Sequence, residues 1–423
     1  MGTHAEKDYL LRASAWYDEV FFNANLVEGT AGATALLGLE LARRGKGFTI
    51  DPVTYAFALD PAHLMSKGKN RTTPRKTFLR LARQYGLIDE DALQLPRLTP
   101  NYFSDDDRLR RFVNRVLTYQ RSRCGEALVA DKEFLSDQDP NLHPHRMLAP
   151  YFFMSHNDPW MDVNRRLAEA ACEIAKSEFH ENVYAVICID SLILDQPEAI
   201  EKVAEMCMGL DCEGFCLWVA DFNEQRATIG QIKGLADLAS RVTQGGKPLL
   251  DLYGGYFAAL LRNRGMSGIS HGVGYGEKRD LIPVVGGGLP PAKYYLQRIH
   301  DEIYIDDLAR LAQGLSRNEF VSEICRCTIC QGLLDAGDVD GLLDRYGQTV
   351  VRTSAKTDRE FSTPEVYRLS RYHFLHNRHI ELLELRNQPE PPVSQLSDAY
   401  AYMGEKLGSS RFRFLEIWAS ALS

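Results

Sequence analysis

Three of the nine cysteines in this chain lie within six residues of one another, in the sequence E-I-C-R-C-T-I-C-Q. Cys325, Cys327 and Cys330 form a C-x-C-x-x-C array. Thiolates at this spacing can turn toward one tetrahedral metal ion, with a fourth ligand supplied from elsewhere in the chain. The array therefore predicts a zinc site. A Cys3His site has no open coordination position, so we expect this Zn2+ to be structural.

The fourth ligand is expected from a histidine-rich segment, residues 363–386, which has the pattern of one helix. Thr363 is a suitable N-cap, and the proline after it is typical of the first helical position. His373 and His376 are three residues apart and share a face, whereas His379 is six residues from His373 and points away. The spacing leaves His373 and His376 as candidates, and we expect His373 to be the ligand.

The composition sets limits on the class of protein. The chain has 423 residues, a formal net charge of −8 and 45% hydrophobic residues. This length allows one large barrel with additions or about two to three smaller domains. The acidic balance argues against a surface covered by basic residues, but not against a local basic patch. The sequence shows no apolar run near ~18 residues and no signal peptide, and its other cysteines have no paired spacing. We therefore expect a cytoplasmic protein without membrane contact.

Short apolar runs alternate with helical patterns along the chain, which is typical of parallel β/α units. The candidate strands are V-F-F-N-A near residue 20, then 48–50, 146–154, 183–189, 214–220, 248–250 and 267–270, and one strand within 282–296. Helical patterns intervene at 161–178, 196–209, 225–242 and 255–264. Eight strands in this alternation predict a closed (β/α)8 barrel, whose active site lies at the carboxyl ends of the strands.

The predicted fold is an α/β TIM barrel with a helical insertion after strand 2 and a zinc-binding subdomain near the C-terminus. The expected parts are the start of the barrel at 1–60, a helical basic insertion at 61–145, the remainder of the barrel at 146–309, the zinc-binding subdomain at 310–387, and a linker with a C-terminal helix at 388–423.

Four of the candidate strands end in aspartate, at Asp51, Asp190, Asp221 and Asp251. A single aspartate in this place is usually the N-cap of the next helix. Like charges brought together at one barrel mouth are costly unless a ligand or a reaction needs them, so we expect a site there. Glycine-rich loops follow the later strands and allow backbone to approach a flat ligand. Together with one loop histidine, the candidate binding positions in these loops are Gly254, Gly255, His271, Gly272 and Gly274.

The chain resembles the tRNA-guanine transglycosylase superfamily over about residues 15–387. The Cys array followed by a histidine-bearing helix is similar to the zinc subdomain of that family. T-I-D-P-V-T-Y-A-F is similar in place to its D-S-G-G-F-Q segment, which gives Asp51 the aspartate of that motif. C-I-D-S at Asp190 resembles its F-D-E-C strand end, and V-A-D-F at Asp221 falls where the family has G-I-V-Q-G-G.

Two later segments extend the resemblance. D-L-Y-G-G-Y-F-A is similar to the G-G-L-A loop of the family through Gly254 and Gly255, and H-G-V-G-Y-G-E-K-R-D-L resembles its G-V-G-x-P-E-D-L. The nucleophilic aspartate of the family lies on the eighth strand, and the matching stretch P-V-V-G-G-G-L-P-P-A-K-Y-Y-L contains none. The pattern is closest to the DpdA-type 7-deazaguanine DNA transglycosylases.

The resemblance implies exchange of guanine in a nucleic acid for a 7-deazaguanine base such as 7-cyano-7-deazaguanine. Retention of configuration is achieved by two displacements through a covalent aspartyl-glycosyl intermediate. We assign Asp251 as nucleophile and Asp51 as acid/base, with the reverse order left open. Asp190 and Asp221 are expected to bind the purine edge, together with the glycine loops and His271. No RNA-binding domain follows, which favours DNA over tRNA as partner, with an accessory protein of a DNA-modification system as a further partner.

A nucleic-acid substrate requires phosphate contacts despite the acidic net charge. The helical insertion contains the candidates, which are Lys69, Arg71, Arg75, Lys76, Arg80, Arg83, Arg111 and Arg115. The alternative is that these residues form an ordinary solvated face. Tyr85 and Tyr119 are candidates for stacking on bases of a displaced strand, because the target base must leave the duplex.

Three other functions compete with DNA modification. One is a tRNA-guanine transglycosylase acting on tRNA. Another is a barrel enzyme such as a lyase or aldolase, which would need a catalytic lysine or an open metal site that the predicted strands do not carry. The last is a non-catalytic zinc-containing binding subunit. The missing aspartate on the eighth strand favours this subunit, whereas the four strand-end aspartates oppose it.

Overall fold

A computed structural model describes residues 4–66, 73–129, 142–273, 276–282, 291–353, 358–388 and 390–423. The chain divides into two compact units. Unit 1 comprises 1–221, 234–252 and 264–268, and unit 2 comprises 222–233, 253–263 and 269–423. Among the described helices, none has the length and apolar character needed to cross a membrane. The predicted five-part division of the chain remains a prediction.

Unit 1 is built on parallel strands. They are β1 (Glu19–Asn23), β2 (Gly47–Asp51), β3 (Met147–Leu148), β4 (Val183–Asp190), β5 (Gly214–Ala220), β6 (Leu249–Asp251) and β7 (Met266–Ile269). β1 pairs with β2, and β3 to β7 form a five-stranded sheet in chain order. A single parallel bridge between Thr49 and Arg146 links β2 to the chain just before β3. The predicted mixed α/β class with a parallel sheet is confirmed.

The central strands β4 and β5 form because their sequences are nearly continuous apolar runs. Residues of β5 are buried along its whole length, as expected for a parallel strand covered on both faces. Gly214 begins β5 where a Cβ atom would lie 2.4 Å from the Tyr184 ring and 2.8 Å from Pro248. The close approach of the neighbouring strands therefore requires glycine at this position.

The helices, in chain order, are α1 (His4–Arg12), α2 (Ala24–Gly29), α3 (Ala31–Arg43), α4 (Lys76–Gln84), α5 (Asp106–Val129), α6 (Trp160–Ile174), α7 (Pro197–Met208), α8 (Ile229–Val242), α9 (Tyr256–Leu260), α10 (Ile305–Ala312), α11 (Arg317–Glu323), α12 (Thr328–Asp335), α13 (Val339–Tyr346), α14 (Pro364–Asn387), α15 (Val393–Leu407) and α16 (Phe414–Leu422). The region predicted as an insertion contains α4 and α5. α5 has aspartates in its first turn, which suit the positive end of the helix dipole, and it packs against α3 and α6.

Unit 2 is mainly helical and contains two antiparallel hairpins. β8 (Tyr294–Leu296) pairs with β9 (Asp301–Ile303), and β10 (Thr349–Thr353) pairs with β11 (Asp358–Ser362). K-Y-Y-L, one candidate for the eighth barrel strand, therefore forms one strand of an antiparallel hairpin. The other candidate, I-P-V-V, lies mostly outside the described residues. A closed barrel remains a prediction.

Candidate functional site

The predicted metal ligands meet in unit 2. Cys325, Cys327, Cys330 and His373 are all buried, and their ligand atoms lie within 4.8 Å of one another. Cys327 is the N-cap of α12, where its Sγ accepts a hydrogen bond from the Cys330 backbone N–H at 3.3 Å. This cap turns two thiols of the array toward the same point. Thr363 caps α14 as predicted, and that helix places His373 opposite them.

The distances fit a tetrahedral metal ion. The Nδ1 atom of His373 lies 3.9 Å from Cys325 Sγ, 3.2 Å from Cys327 Sγ and 3.4 Å from Cys330 Sγ. Zinc bonds of roughly 2.3 Å to sulfur and 2.0 Å to nitrogen at tetrahedral angles place these atoms about 3.5 Å apart. The cluster can therefore hold one metal ion, and three thiols with one imidazole are a ligand set that suits zinc.

Neighbouring groups fix the orientation of His373. Its Nε2 lies 2.7 Å from the backbone oxygen of Tyr295, which leaves Nδ1 free to bind the ion when Nε2 carries the proton. The ring of Tyr294 packs on His373 at 4.0 Å between centroids, and its hydroxyl lies 3.2 Å from Cys330 Sγ. His376 lies 3.4 Å from the Thr328 hydroxyl and is not among the four clustered residues. The structure thus distinguishes His373 from His376.

Asp51 lies at the end of β2 in unit 1 and is buried. Its Oδ1 accepts hydrogen bonds from the Tyr151 hydroxyl at 2.8 Å and the Val53 backbone N–H at 3.0 Å. Tyr151 stacks on Tyr55, which meets Trp218 edge-on with 4.8 Å between centroids. The carboxylate is therefore oriented by two donors beside a wall of aromatic rings.

Asp190 and Asp221 differ in environment. Asp190 ends β4, and its side chain accepts a hydrogen bond from the Leu192 backbone N–H at 2.9 Å, so it also serves as an N-cap. Asp221 is exposed and has a left-handed backbone, with φ of 57°. Non-glycine residues rarely adopt this conformation, and it places a sharp turn immediately after β5.

The strand register assigns Asp251 to a different face from Asp190 and Asp51. Asp251 pairs with Leu217, whereas Asp190 pairs with Ala220. Side chains alternate along a strand, so Asp251 shares the face of Leu217, and Asp190 shares the face of Trp218. Thr49 bridges Arg146 and Leu148 pairs with Tyr184, so Asp51, two residues after Thr49, lies on the face of Tyr184 and Asp190. Asp51 and Asp190 therefore share one face of the parallel strands, and Asp251 lies on the other.

The loop after β6 contains Gly254 and Gly255, and both belong to unit 2. The backbone N–H of Gly255 donates to the buried Glu224 at 2.8 Å, and those of Phe257 and Ala258 donate to the same carboxylate. A Cβ at position 255 would lie 2.5 Å from Glu224 Oε2. Glu224 is thus a loop-forming residue that its sequence context, N-E-Q-R, did not single out.

The glycine loop that begins at His271 is held by its own backbone and by one aromatic contact. The Gly272 N–H donates to the Gly276 oxygen at 2.8 Å, and His271 meets the Phe374 ring edge-on. Burial lowers the pKa of His271 to about 4, so its imidazole is neutral near pH 7 and offers one donor and one acceptor. Gly274 lies outside the described residues.

The predicted phosphate contacts fall into three groups. Lys69 and Arg71 lie outside the described residues. Arg75, Arg80 and Arg83 donate to backbone oxygens within unit 1, at 3.0 Å to Met65, 3.0 Å to Glu28 and 3.1 Å to Ala92. The third group is Lys76, Arg111 and Arg115, which are exposed. Among the described residues, these three form no ion pair and no side-chain hydrogen bond.

The predicted stacking role of Tyr85 and Tyr119 is wrong. Tyr85 is 1% exposed and its hydroxyl donates to the Pro52 oxygen at 2.8 Å, while Tyr119 is 3% exposed and packs edge-on against Tyr85. Both rings belong to the core under α5, so no base can stack on them. A cavity of about 210 Å³ opens beside Tyr119 and is lined by Gln84, Arg115, Thr118, Tyr119, Ser122, Arg123 and Glu126.

Comparison with known proteins adds no assignment, so the residues described above are the basis for a functional hypothesis. A search of protein-family models finds none that matches the chain, and a search of curated proteins finds no similar sequence.

Proposed function

We propose that this protein is a base-exchange transglycosylase that replaces guanine in a nucleic acid, with DNA as the preferred substrate, by a 7-deazaguanine base. The observation that carries the proposal is the combination of two strand-end carboxylates on the same face of the parallel strands, Asp51 and Asp190, with a downstream Cys3His cluster. These features occur in the chain order of the transglycosylase superfamily that the sequence resembles.

The proposed fold is a closed β/α barrel. Its support is the parallel order of β3 to β7, the parallel pair β1 and β2, and the bridge between Thr49 and Arg146 that joins them. Each strand lies beside its neighbour in sequence, which is the order of a barrel rather than of a doubly wound sheet.

The proposed metal is zinc, held by Cys325, Cys327, Cys330 and His373. When bound, this ion stabilises unit 2 and leaves no coordination position for substrate. The chemistry is therefore assigned to carboxylates of unit 1.

The proposed nucleophile is Asp51 rather than Asp251, and the register that separates Asp251 from Asp190 supports this order. In the proposed reaction, a carboxylate oxygen of Asp51 attacks C1′ while the bond from C1′ to guanine breaks, and the departing guanine takes up a proton from solvent. The incoming base then attacks C1′ from the side opposite to Asp51, gives its ring N–H proton to solvent and releases the carboxylate, so configuration is retained. Tyr151 and the Val53 N–H hold the Asp51 carboxylate in place. Asp190 and Asp221 accept hydrogen bonds from the purine edge.

A direct test uses labelled guanine in DNA and in tRNA, incubated in parallel with the protein and a 7-deazaguanine base. We expect label release from DNA by the wild type and by Asp251→Asn, and none by Asp51→Asn. Release from tRNA alone would change the substrate. No release from either polymer, with binding of both retained, would instead identify a non-catalytic binding subunit.

A further inference from the structure

Arg378 is a buried cation in unit 2. It lies on α14 and is 1% exposed. Its guanidinium pairs with Glu381 at 2.9 Å and with Glu277, and it lies 5.6 Å from the ring centroid of Tyr256 and 5.1 Å from that of Tyr295. A buried charge persists only with such partners, because water is excluded from the surroundings.

Glu277 connects this cation to the Gly254–Gly255 loop. Besides Arg378, its carboxylate accepts a hydrogen bond from Gln225 at 3.3 Å. A Cβ at Gly255 would lie 2.9 Å from Glu277 Oε2 and 2.5 Å from Glu224 Oε2. Two carboxylates thus fill the space that a side chain at position 255 would take, and they fix the path of the loop.

The same cation is connected to the metal ligands. Arg378 and His373 lie five residues apart on α14. Tyr295 contacts both neighbourhoods, since its backbone oxygen lies 2.7 Å from His373 Nε2 and its hydroxyl donates to Glu381 at 2.8 Å. Glu381 also lies 2.7 Å from His300 Nδ1. Buried polar contacts therefore run from the metal cluster to Glu277, and the Glu277 carboxylate packs against Gly255 of the glycine loop.

We infer that Arg378 and Glu277 are positioning residues that couple metal binding at the Cys3His cluster to the order of the Gly254–Gly255 loop. The metal fixes His373 and with it the α14 segment that carries Arg378. Arg378 then holds Glu277 against Gly255. The guanidinium of Arg378 also packs on the ring of Tyr256, the first residue of α9. The sequence resemblance gives this loop a part in base binding, so the functional meaning of the coupling rests on the proposed function.

The test measures hydrogen exchange of the backbone amides at residues 255–260 in purified, metal-loaded full-length protein. Glu277→Gln removes one of the two carboxylate charges that pair with Arg378 while keeping the shape of the side chain. We expect exchange at these amides to become about tenfold faster or more, because local opening becomes easier. Metal content should stay at the wild-type level, and the KM for the incoming base should rise more than kcat falls.

The matched control is Glu365→Gln, on the same helix. Glu365 is 42% exposed and pairs with Arg368 one turn away at the surface, so exchange at the loop should stay unchanged. Loop amides that exchange in Glu277→Gln at the wild-type rate would overturn the coupling. If the loop loosens but the wild type exchanges no base, the coupling stands and the proposed function fails.

A second arm needs no variant and applies even if Glu277→Gln does not fold. Removal of the metal by a chelator should speed exchange at residues 255–260, with the amides of β4 and β5 in unit 1 as internal reference. Equal loop exchange in metal-free and metal-loaded protein would overturn the proposed link.

Discussion

The Cys3His cluster in unit 2 and the strand-end aspartates in unit 1 were both inferred from spacing, but they depend on structure in different ways. The four residues of the cluster lie in two local segments, and the cap at Cys327 and the helix around His373 are enough to bring them together. The aspartates lie on separate strands, so their relation depends on register. One residue of slip moves a side chain to the other face of a sheet. Local spacing is therefore the more reliable guide to a site.

The largest effect is expected at the metal cluster. Cys327→Ala removes both a ligand and the cap of α12, so metal content should fall from about one ion per chain to near zero. Since binding free energies of structural zinc are on the order of 10 kcal/mol in small domains, the variant should lose solubility and melt at a lower temperature.

Elemental analysis and thermal melting check this prediction. Cys124→Ala is the matched control, because Cys124 is also a buried cysteine but lies on α5, outside the cluster. It should keep its metal. Wild-type protein without zinc, or a Cys327→Ala protein that melts like wild type, contradicts the assignment.

The next effect separates the two faces of the parallel strands. Asp51→Asn should reduce base exchange by about a thousandfold or more, because an amide cannot act as the nucleophile. Asp251→Asn should exchange base within a few-fold of wild type if the register assigns its face correctly. Single-turnover assays on DNA measure both, and intact melting curves show that folding is preserved. A dead Asp251→Asn protein with active Asp51→Asn would restore the original order of the two residues.

Tyr151→Phe tests the same role of Asp51, with a smaller expected loss of rate. The variant removes the hydroxyl that donates to Asp51 and keeps the ring that stacks on Tyr55. Loss of a hydrogen bond to a charged group costs about 1.5–3 kcal/mol, which corresponds to roughly ten- to a hundredfold in rate. An unchanged rate would show that the Asp51 carboxylate does not depend on this donor.

What the sequence predicts well follows from local geometry. The array of cysteines, the N-cap at Thr363 and the restriction of the fourth ligand to His373 or His376 follow from spacing within single elements. The strands β4 and β5 follow from their long apolar runs. The face of Asp251 could not be predicted, because the register is set by hydrogen bonds to β5. Arg378 and Glu277 were missed because their contact joins residues 101 positions apart.

The basic residues of the helical region give the same lesson on a smaller scale. Arg75, Arg80 and Arg83 looked like phosphate contacts, yet they donate to backbone oxygens of their own unit. Reversing the charge of Lys76, Arg111 and Arg115 should weaken DNA binding. The slope of log K against log salt should fall by about one unit for each phosphate interaction that the reversal removes.

Reversal of Arg75, Arg80 and Arg83 should instead lower the melting temperature, because it removes their hydrogen bonds within the unit. Binding titrations at several salt concentrations distinguish the two sets. An unchanged slope after reversal of Lys76, Arg111 and Arg115 would assign them to a solvated face.

The smallest effect concerns a carboxylate of unit 2 whose protonation state depends on burial and not on any sequence pattern. Glu302 lies on β9 with 17% of its side chain exposed, and burial raises its pKa to about 7, against the opposing effect of Lys293 at 3.6 Å. In the unfolded chain its pKa returns to the ordinary value near ~4.5. Between these two pKa values, Glu302 is protonated in the folded state and ionised in the unfolded chain. The free energy of unfolding therefore falls as pH rises from about 4.5 to 7.

Glu302→Gln cannot ionise and escapes this loss. We expect the variant to melt above wild type at pH 8, by roughly 2–4 °C, and the difference to shrink toward zero near pH 4.5. Glu405→Gln, at an exposed position on α15, is the control and should track wild type at both values. A variant that melts below wild type at pH 8 would mean that the ion pair with Lys293 outweighs the cost of burying the charge. The folded-state pKa of Glu302 would then lie below its ordinary value, and the stability difference would grow with pH in the opposite sense.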